Sequence, residues 1–292
     1  MTIIDTKVLR KILVPTDFSS AASRALNYAA SLSVSLNSEI VVFHVIDVPV
    51  VSTNDMAFPV NYSELEQNAV NLLEKTKTEI IAKYGNLKIS TVFTIGIATQ
   101  EILQKSLKEG FDLVVMGTQG KSGMLEVVFG SVTKNIIGNC PCPVLVVPDH
   151  APNNQPSKIA FATNFDDHEL QSLFLLAELL RPFDTEINLV HIGDVGDMKQ
   201  QDELLTYFRG QVRTNINYEK IRYHIISGKD VEDSLEQFIV SNKMDWIAIA
   251  KRKRNFFDKL TSRSLTNKLQ NHSFVPILVF HTSTRSTTPF FS

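Results

Sequence analysis

The chain has 292 residues, of which 43% are hydrophobic and 21% charged, and its formal net charge at neutral pH is −2. These values indicate a folded chain with a sizeable core and room for two domains, and the net charge gives no reason to expect nucleic acid or an anionic membrane as a partner. Two cysteines exclude a disulfide framework, no apolar run is long enough to span a bilayer, and the first residues lack the apolar core of a signal peptide. We therefore expect a cytoplasmic protein without nucleic-acid or membrane partners.

Strands and helices alternate through the first half of the sequence. Apolar, β-branched segments predict strands at 11–15, 39–46, 88–94, 113–116 and 144–147, and helical spacing of apolar residues predicts helices between them. Continuously apolar strands are typical of a parallel sheet that is covered on both faces. Alternation with helices gives right-handed crossovers, so we predict a doubly wound, Rossmann-like α/β sheet of five parallel strands. Ligands of such sheets bind at the carboxyl ends of the strands, where the strand order reverses.

Two segments without periodicity separate the predicted elements. Residues 47–60 contain two prolines and predict a mobile loop, and residues 149–157 are polar with two prolines, as expected of a linker. We therefore predict one domain at 1–150 and a second domain at 157–283.

The pattern restarts after the linker, which reveals an internal repeat. The segment 11–18, KILVPTDF, aligns with 158–165, KIAFATNF, at an offset of 147 residues, and the same offset places His191 on His44. Further along, the offset falls to 133 and aligns Asp245 with Asp112, so the second copy lacks most of the predicted loop. Both histidines fall in strands, where we interpret them as structural rather than catalytic.

A glycine-rich segment follows the fourth predicted strand. Gly117 and Gly120 are three residues apart, and Gly130 and Ser131 follow after nine further residues, at the start of a predicted helix. Glycine lets backbone N–H groups approach an anion, and a helix N-terminus adds unsatisfied donors and the positive end of a dipole, so the segment predicts a phosphate site. The spacing differs from GxxxxGK[ST] and from GxGxxG. For any single glycine, a turn or tight packing is the alternative.

The full spacing, followed by GSVT and by PCPVLVV, resembles the ATP-binding branch of the universal stress protein family. The resemblance implies an adenine nucleotide α-hydrolase-like fold, ATP with Mg²⁺ as the ligand, and a regulatory role in the stress response. It implies that Asp17 contacts ribose or adenine and that the backbone of Val45 holds the adenine edge. The binding residues implied in this way are Pro15, Thr16, Asp17, Val45, Met116, Gly117, Gly120, Gly130, Ser131, Val132 and Thr133.

Several of these residues also have a structural interpretation. The hydroxyls of Ser131 and Thr133 can donate to phosphate, but Ser131 is equally a candidate N-cap, and Asp17 is equally placed to cap the first helix. Lys121 can neutralise phosphate charge, although a solvated loop lysine is the simpler interpretation. We interpret the basic run 251–254 as a solvated loop as well.

The second copy has lost the glycines of the first. Gly117, Gly120 and Gly130 become Ala250, Lys253 and Arg263, Asp17 becomes Asn164, and only Ser131 persists, as Ser264. Side chains at these positions block the approach of backbone N–H groups to phosphate. We therefore expect a degenerate domain without nucleotide. The resemblance implies that two such domains pair through their last strands as in a dimer, which sets 144–147 beside 277–280.

Three functions stay open from the sequence. A nucleotide-dependent sensor that acts on an unidentified protein partner fits the glycine signature best, and a slow ATPase and a nucleotide-free scaffold are the alternatives. No Ser-His-Asp order, HExxH motif or paired carboxylates point to a catalytic centre, so we expect at most weak ATP hydrolysis. Association of two tandem chains into a homodimer is also open. Cys140-Pro-Cys142 is too short for a C-x-x-C motif, and we interpret it as a helix stop followed by a buried strand residue.

Overall fold

The computed structural model describes residues 9–47, 61–118, 129–152, 155–193, 198–228, 230–251 and 275–281. Strands and helices alternate in the first half, as the sequence predicts. The strands are β1 (Lys11–Thr16), β2 (Glu39–Asp47), β3 (Lys88–Gly96), β4 (Leu113–Gly117) and β5 (Val144–Val147). The helices are α1 (Ser20–Leu36), α2 (Tyr62–Tyr84), α3 (Ala98–Lys108) and α4 (Ser131–Asn139). Of the predicted loop at 47–60, Asp47 ends β2 and the other residues lie outside the described ranges.

The second half repeats this alternation. Its strands are β6 (Lys158–Ala162), β7 (Glu186–Gly193), β8 (Ile221–Ser227), β9 (Trp246–Lys251) and β10 (Ile277–His281). Its helices are α5 (Leu170–Leu180), α6 (Met198–Asn215) and α7 (Val231–Ser241). A turn of 3-10 helix, Asp167–Glu169, precedes α5 at the place where the first turn of α1 lies in the first half.

The strands of the described residues form one ten-stranded sheet in the order β3-β2-β1-β4-β5-β10-β9-β6-β7-β8. Neighbouring strands within each half are parallel. In each half the strand order reverses beside the first strand, between β1 and β4 and between β6 and β9. The predicted α/β class, with two tandem doubly wound sheets, is thereby confirmed.

The two halves of the sheet join through their last strands. β5 and β10 pair in antiparallel register, with Leu145 opposite Leu278 and Val144 opposite Val279. All four of these side chains are fully buried. Pairing these strands removes an exposed edge from each five-stranded half, and such an edge invites aggregation. The pairing of the halves as a pseudo-dimer, which the family resemblance implied, is present within the single chain.

The hydrogen bonds at the start of β1 recur at the start of β6, between residues that the internal repeat aligns. The carboxylate of Asp112 accepts from the backbone N–H groups of Arg10 and Lys11, over 2.9 and 3.1 Å. The carboxylate of Asp245 accepts in the same way from Ser157 and Lys158, over 2.7 and 2.8 Å. The aligned aspartates therefore have the same structural role in both halves: each accepts hydrogen bonds from the backbone at the start of the first strand.

The two aligned histidines also make matching contacts. Nδ1 of His44 is hydrogen-bonded to the carbonyl oxygen of Thr16 over 2.8 Å, and Nδ1 of His191 to that of Thr163 over 2.9 Å. Each imidazole thus anchors the carboxyl end of the neighbouring strand. These contacts agree with the structural interpretation of both histidines.

The core runs continuously across the junction. One cluster of buried side chains contains Leu26 and Leu32 of α1, Leu145 of β5, Phe280 of β10 and Trp246 of β9. The described helices include none that combines the length and hydropathy needed to cross a membrane.

Candidate functional site

A cavity of about 220 Å³ lies at the carboxyl ends of β1 and β4, where the strand order of the first half reverses. Doubly wound sheets bind their ligands at this place. Six elements contribute to its lining: Pro15, Thr16 and Asp17 at the end of β1, Ala22 in α1, Phe43, Val45 and Asp47 in β2, Ala98 and Ile102 in α3, Met116 and Gly117 in β4, and Gly130, Ser131, Val132 and Thr133 at the start of α4. Every predicted binding residue that the structure describes therefore lines one cavity. The remaining predicted residue, Gly120, lies outside the described residues, as does Lys121.

Five lining residues were not singled out from the sequence. Phe43 and Asp47 flank Val45 two residues away along β2, and side chains two residues apart in a strand share one face. Ala98 and Ile102 lie four residues apart on α3, and Ala22 lies in the first turn of α1. The strand period was a usable signal for Phe43 and Asp47. Ala98, Ile102 and Ala22 carry no local signal, because only the packing of their helices brings them to the cavity.

The loop after β1 is held by its own side chains. The Thr16 hydroxyl accepts from the backbone N–H of Phe18 over 3.0 Å, and the Asp17 carboxylate accepts from the N–H of Ser19 over 3.0 Å. The N-cap of α1 is Ser19, whose Oγ accepts from the N–H of Ala22 over 3.2 Å. Asp17 is therefore not the cap. It supports the capping residue while lining the cavity.

The first turn of α4 presents backbone donors to the cavity. The N-cap is Gly130, which has no side chain to cap the helix, and its own N–H donates to the carbonyl oxygen of Thr118 over 2.9 Å. The N–H groups of Ser131, Val132 and Thr133 have no acceptor within a helix that starts here. The alternative that Ser131 is the N-cap is wrong, because the helix is capped one residue earlier.

The hydroxyl of Thr133, which the sequence suggested as a donor to phosphate, has another partner. Its side chain is buried, and its hydroxyl donates to the carbonyl oxygen of Gly117 over 3.1 Å. The hydroxyl hydrogen is engaged in holding the start of α4 against the end of β4. The geometry therefore does not support its expected role as a hydroxyl donor to phosphate, and leaves its backbone N–H for that role.

Packing against α1, as well as the cavity, accounts for a glycine at position 117. A Cβ at this position would lie 2.8 Å from the carbonyl carbon, the carbonyl oxygen and the Cβ of Ala21. Cβ atoms essentially never make non-bonded contacts this short, so α1 can approach β4 this closely only because residue 117 is glycine. For Gly117, tight packing applies whether or not a ligand binds.

The negative and the positive groups of the cavity lie on different sides of it. The carboxylates of Asp17 and Asp47 come from the ends of β1 and β2, whereas the positive end of the α4 dipole lies beyond β4. Neither lysine nor arginine occurs among the described lining residues. The arrangement suits a ligand that carries hydroxyl groups at one end and an anionic group at the other.

The corresponding region of the second half contains a carboxylate of its own. Glu169, at the position aligned with Ala22, is buried. Its carboxylate accepts from the Thr163 hydroxyl and, over 3.2 Å, from the backbone N–H of Asn164. Burial raises the pKa of Glu169, and the bonds from Thr163, Asn164 and Asp166 oppose that rise. Ala250 is the penultimate residue of the aligned strand, β9, which ends at Lys251, so the first residue of the basic run belongs to a strand and not to a loop. Arg263, Ser264 and the rest of the basic run, 252–254, lie outside the described residues, and so does Lys253.

Comparison with known proteins gives a consistent result. The model of the universal stress protein family matches residues 9–148. Universal stress protein MJ0577 of Methanocaldococcus jannaschii is 32% identical over 154 residues, which are 47% of this chain and 94% of that protein. Universal stress protein MJ0531 of the same organism is 34% identical over 140 residues, which are 47% of this chain and 81% of the relative.

One solved structure is similar over both halves. The crystal structure of a universal stress protein from Archaeoglobus fulgidus superimposes with a TM-score of 0.70 and 20% identity. The superposition covers 93% of this chain and 96% of the other. At that identity the similarity concerns the fold, which both chains share along nearly their full length.

Proposed function

The chain belongs to the universal stress protein family of stress-response proteins, and on that premise we propose that its first half binds ATP and serves as a nucleotide-dependent sensor. The ligand occupies the cavity at the ends of β1 and β4. A protein partner in the cytoplasm recognises the form of the chain in which the cavity is occupied. The second half completes the sheet and binds no nucleotide.

The observation that carries this proposal is the polarity of the cavity. The Asp17 carboxylate is an acceptor for ribose hydroxyl groups at the β1 end. The backbone N–H groups of 131–133 are donors for phosphate oxygens at the α4 end, where the helix dipole favours negative charge. An adenine nucleotide carries both kinds of group in one molecule.

The backbone of Val45 supports the placement of adenine. Pairing of β1 with β2 ends at Thr16 and His44, and β2 continues to Asp47 beyond this last pair. Val45 therefore lies past the point where β1 covers that edge of β2, while it still lines the cavity. We assign the adenine edge to this stretch of backbone.

Charge balance supports Mg²⁺ as part of the ligand. A helix N-terminus supplies only about half an elementary charge, far less than a triphosphate carries, and the described lining residues contain no cation. Mg²⁺ keeps several waters and takes phosphate oxygens with few protein ligands, so it requires no dedicated cage of side chains. When bound it neutralises phosphate charge, and the exposed hydroxyl of Ser131 is the described side chain at the phosphate end that suits it.

Calorimetric titration of ATP, with and without magnesium, tests the proposal on three forms of the full chain. The native form is expected to bind, and Gly130→Arg is expected to lose affinity by about 100-fold or more, because Gly130 lines the cavity and an arginine side chain there occupies space meant for the phosphates. Gly130 has φ −56°, which arginine adopts without strain. Gly210→Arg is the matched control, because a side chain there meets nothing within 4 Å.

Two outcomes would overturn the proposal. The first is a folded native protein that binds ATP in neither condition. The second is unchanged affinity in Gly130→Arg, which would place the phosphates elsewhere. If the native chain releases phosphate from ATP and Gly130→Arg does not, the result would favour the alternative of a slow ATPase over the sensor.

A further inference from the structure

The two cysteines of the chain are close neighbours in space. Cys140 follows the last residue of α4, where its N–H donates to the carbonyl oxygen of Ile136 over 2.9 Å. Cys142 lies two residues before Val144, the first residue of β5. Both thiols are free and buried, and their sulfur atoms are 3.6 Å apart. The predicted helix stop and buried residue are present, but the contact between the thiols goes beyond that structural role.

The thiols have different chemical environments. The contact with Cys142 lowers the pKa of the Cys140 thiol, against the opposing effect of its burial. The same contact, together with burial, raises the pKa of Cys142. The contact therefore shifts the pKa values of the two thiols in opposite directions, and the thiolate is the form that acts as nucleophile.

A second cavity gives small molecules access to Cys142, whereas Cys140 is not among its lining residues. It measures about 220 Å³, and its lining includes Cys142, Asp112 and Leu9 of the first half and Glu178 and Phe280 of the second. A cavity needs roughly 10–15 Å³ to admit one water-sized molecule, so hydrogen peroxide fits. An oxidant that reaches Cys142 through this cavity is one sulfur–sulfur contact away from Cys140.

We propose that Cys140 and Cys142 form a redox-active dithiol, which closes to an intrachain disulfide on reaction with a peroxide and reopens with a thiol reductant. The thiolate of one cysteine attacks one peroxide oxygen, the O–O bond breaks, and after protonation of the departing hydroxide a sulfenic acid and water are formed. The sulfur of the other cysteine then attacks the sulfenic sulfur, and the departing hydroxide takes up the thiol proton as a second water. Two thiols lose two electrons in total, and hydrogen peroxide takes them up.

The local geometry permits closure. The sulfur atoms must approach from 3.6 Å to about 2.05 Å, and the chain between them bends at Pro141 and Cys142 without belonging to a helix or strand. The ladder between β4 and β5 starts only at Val144.

The experiment treats the reduced, full-length native chain with one equivalent of hydrogen peroxide. Intact mass and thiol titration in denaturant then report the product. The expected product has lost two hydrogen atoms and both thiols, runs as a single chain under non-reducing conditions, and returns to the starting mass with dithiothreitol. Fluorescence of Trp246 is expected to remain native throughout.

Single variants identify the sequence of events. In either variant, Cys140→Ser or Cys142→Ser, a sulfenic acid at the remaining cysteine has no neighbouring thiol. It is therefore expected to accumulate and to react with dimedone, and no intrachain disulfide is expected to form.

Three results would overturn the proposal. In the first, the thiols of the folded chain survive peroxide and react only after unfolding. In the second, sulfinic acid forms without a disulfide. In the third, the disulfide joins two chains. None of these readouts depends on nucleotide, so failure of the dithiol and failure of the proposed ATP site are distinguishable.

Discussion

The indole N–H of Trp246 donates a hydrogen bond of 2.7 Å to the hydroxyl of Tyr28, across the junction of the two halves. Trp246 begins β9 in the second half and Tyr28 lies in α1 of the first. Both side chains are buried, with their ring centroids 6.0 Å apart. Burial raises the pKa of Tyr28 to about 12, so its hydroxyl stays protonated at physiological pH.

Tyr28→Phe is expected to lower the free energy of unfolding by about 1–3 kcal/mol, because a buried indole N–H loses its acceptor. Urea unfolding followed by Trp246 fluorescence measures the change, since the chain has a single tryptophan. Tyr207→Phe is the matched control: it removes a hydroxyl that bonds Asp167 at the surface, and should change stability by less than about 0.5 kcal/mol. Equal effects of the two substitutions would contradict the role assigned to the buried bond.

Gly117→Ala is expected to destabilise the chain by about 1–3 kcal/mol, because the added methyl group overlaps Ala21 of α1. Thermal unfolding of the ligand-free protein measures the loss without reference to ATP. Gly210→Ala adds the same methyl group in open space on α6, and should be neutral or stabilising by up to about 1 kcal/mol. A fully stable Gly117→Ala would show that α1 accommodates the methyl group, and would leave ligand approach as the reason for this glycine.

Glu169 is expected to make stability depend on pH. Its pKa in the folded chain is raised above the ordinary value of 4.5, so the folded state holds the proton more tightly than the unfolded state. The contribution of Glu169 is therefore fully present below pH 4.5 and falls as the pH rises through the raised value. In Glu169→Gln this dependence is removed, so the advantage of the native chain over the variant should shrink from acidic to neutral pH.

Urea unfolding across that pH range measures the Glu169 effect. Glu203→Gln, at an exposed position of α6, is the control and should leave the pH profile parallel to that of the native chain. A parallel profile for Glu169→Gln would show that the hydrogen bonds to the carboxylate outweigh its burial.

We expect one bound nucleotide per chain, at low and at high salt alike. In the second half, Glu169 takes the position of Ala22, which borders the first-half cavity. Its carboxylate accepts from the Thr163 hydroxyl and the Asn164 backbone, so a carboxylate stands where the first half has a methyl group beside its ligand cavity. Counting bound ATP by titration at two ionic strengths is the measurement. A value near two at low salt that falls at high salt would mean that exposed cations hold a second nucleotide, and the degenerate role of the second half would be wrong.

The sequence predicted most of the fold because the signals involved are local. Each predicted strand starts within two residues of an observed strand, and the repeat identified the second half without reference to structure. The glycine spacing and the strand ends pointed to residues that line one cavity. The domain borders and the binding roles of these residues stay predictions. Periodicity reports which face of an element is buried, and strand ends meet at one edge of a parallel sheet whatever their side chains are.

Tertiary structure alone decided which atoms meet. The sequence was equally consistent with Gly117 as a phosphate contact and as a packing glycine, and only the position of Ala21 shows that packing demands it. The spacing of Cys140 and Cys142 predicted a helix stop, whereas the bend at Pro141 brings their sulfur atoms into contact. Contacts of this kind depend on how elements far apart in the chain are set against one another. A pattern of residue types records burial but not the direction in which a particular side chain points once those elements have packed.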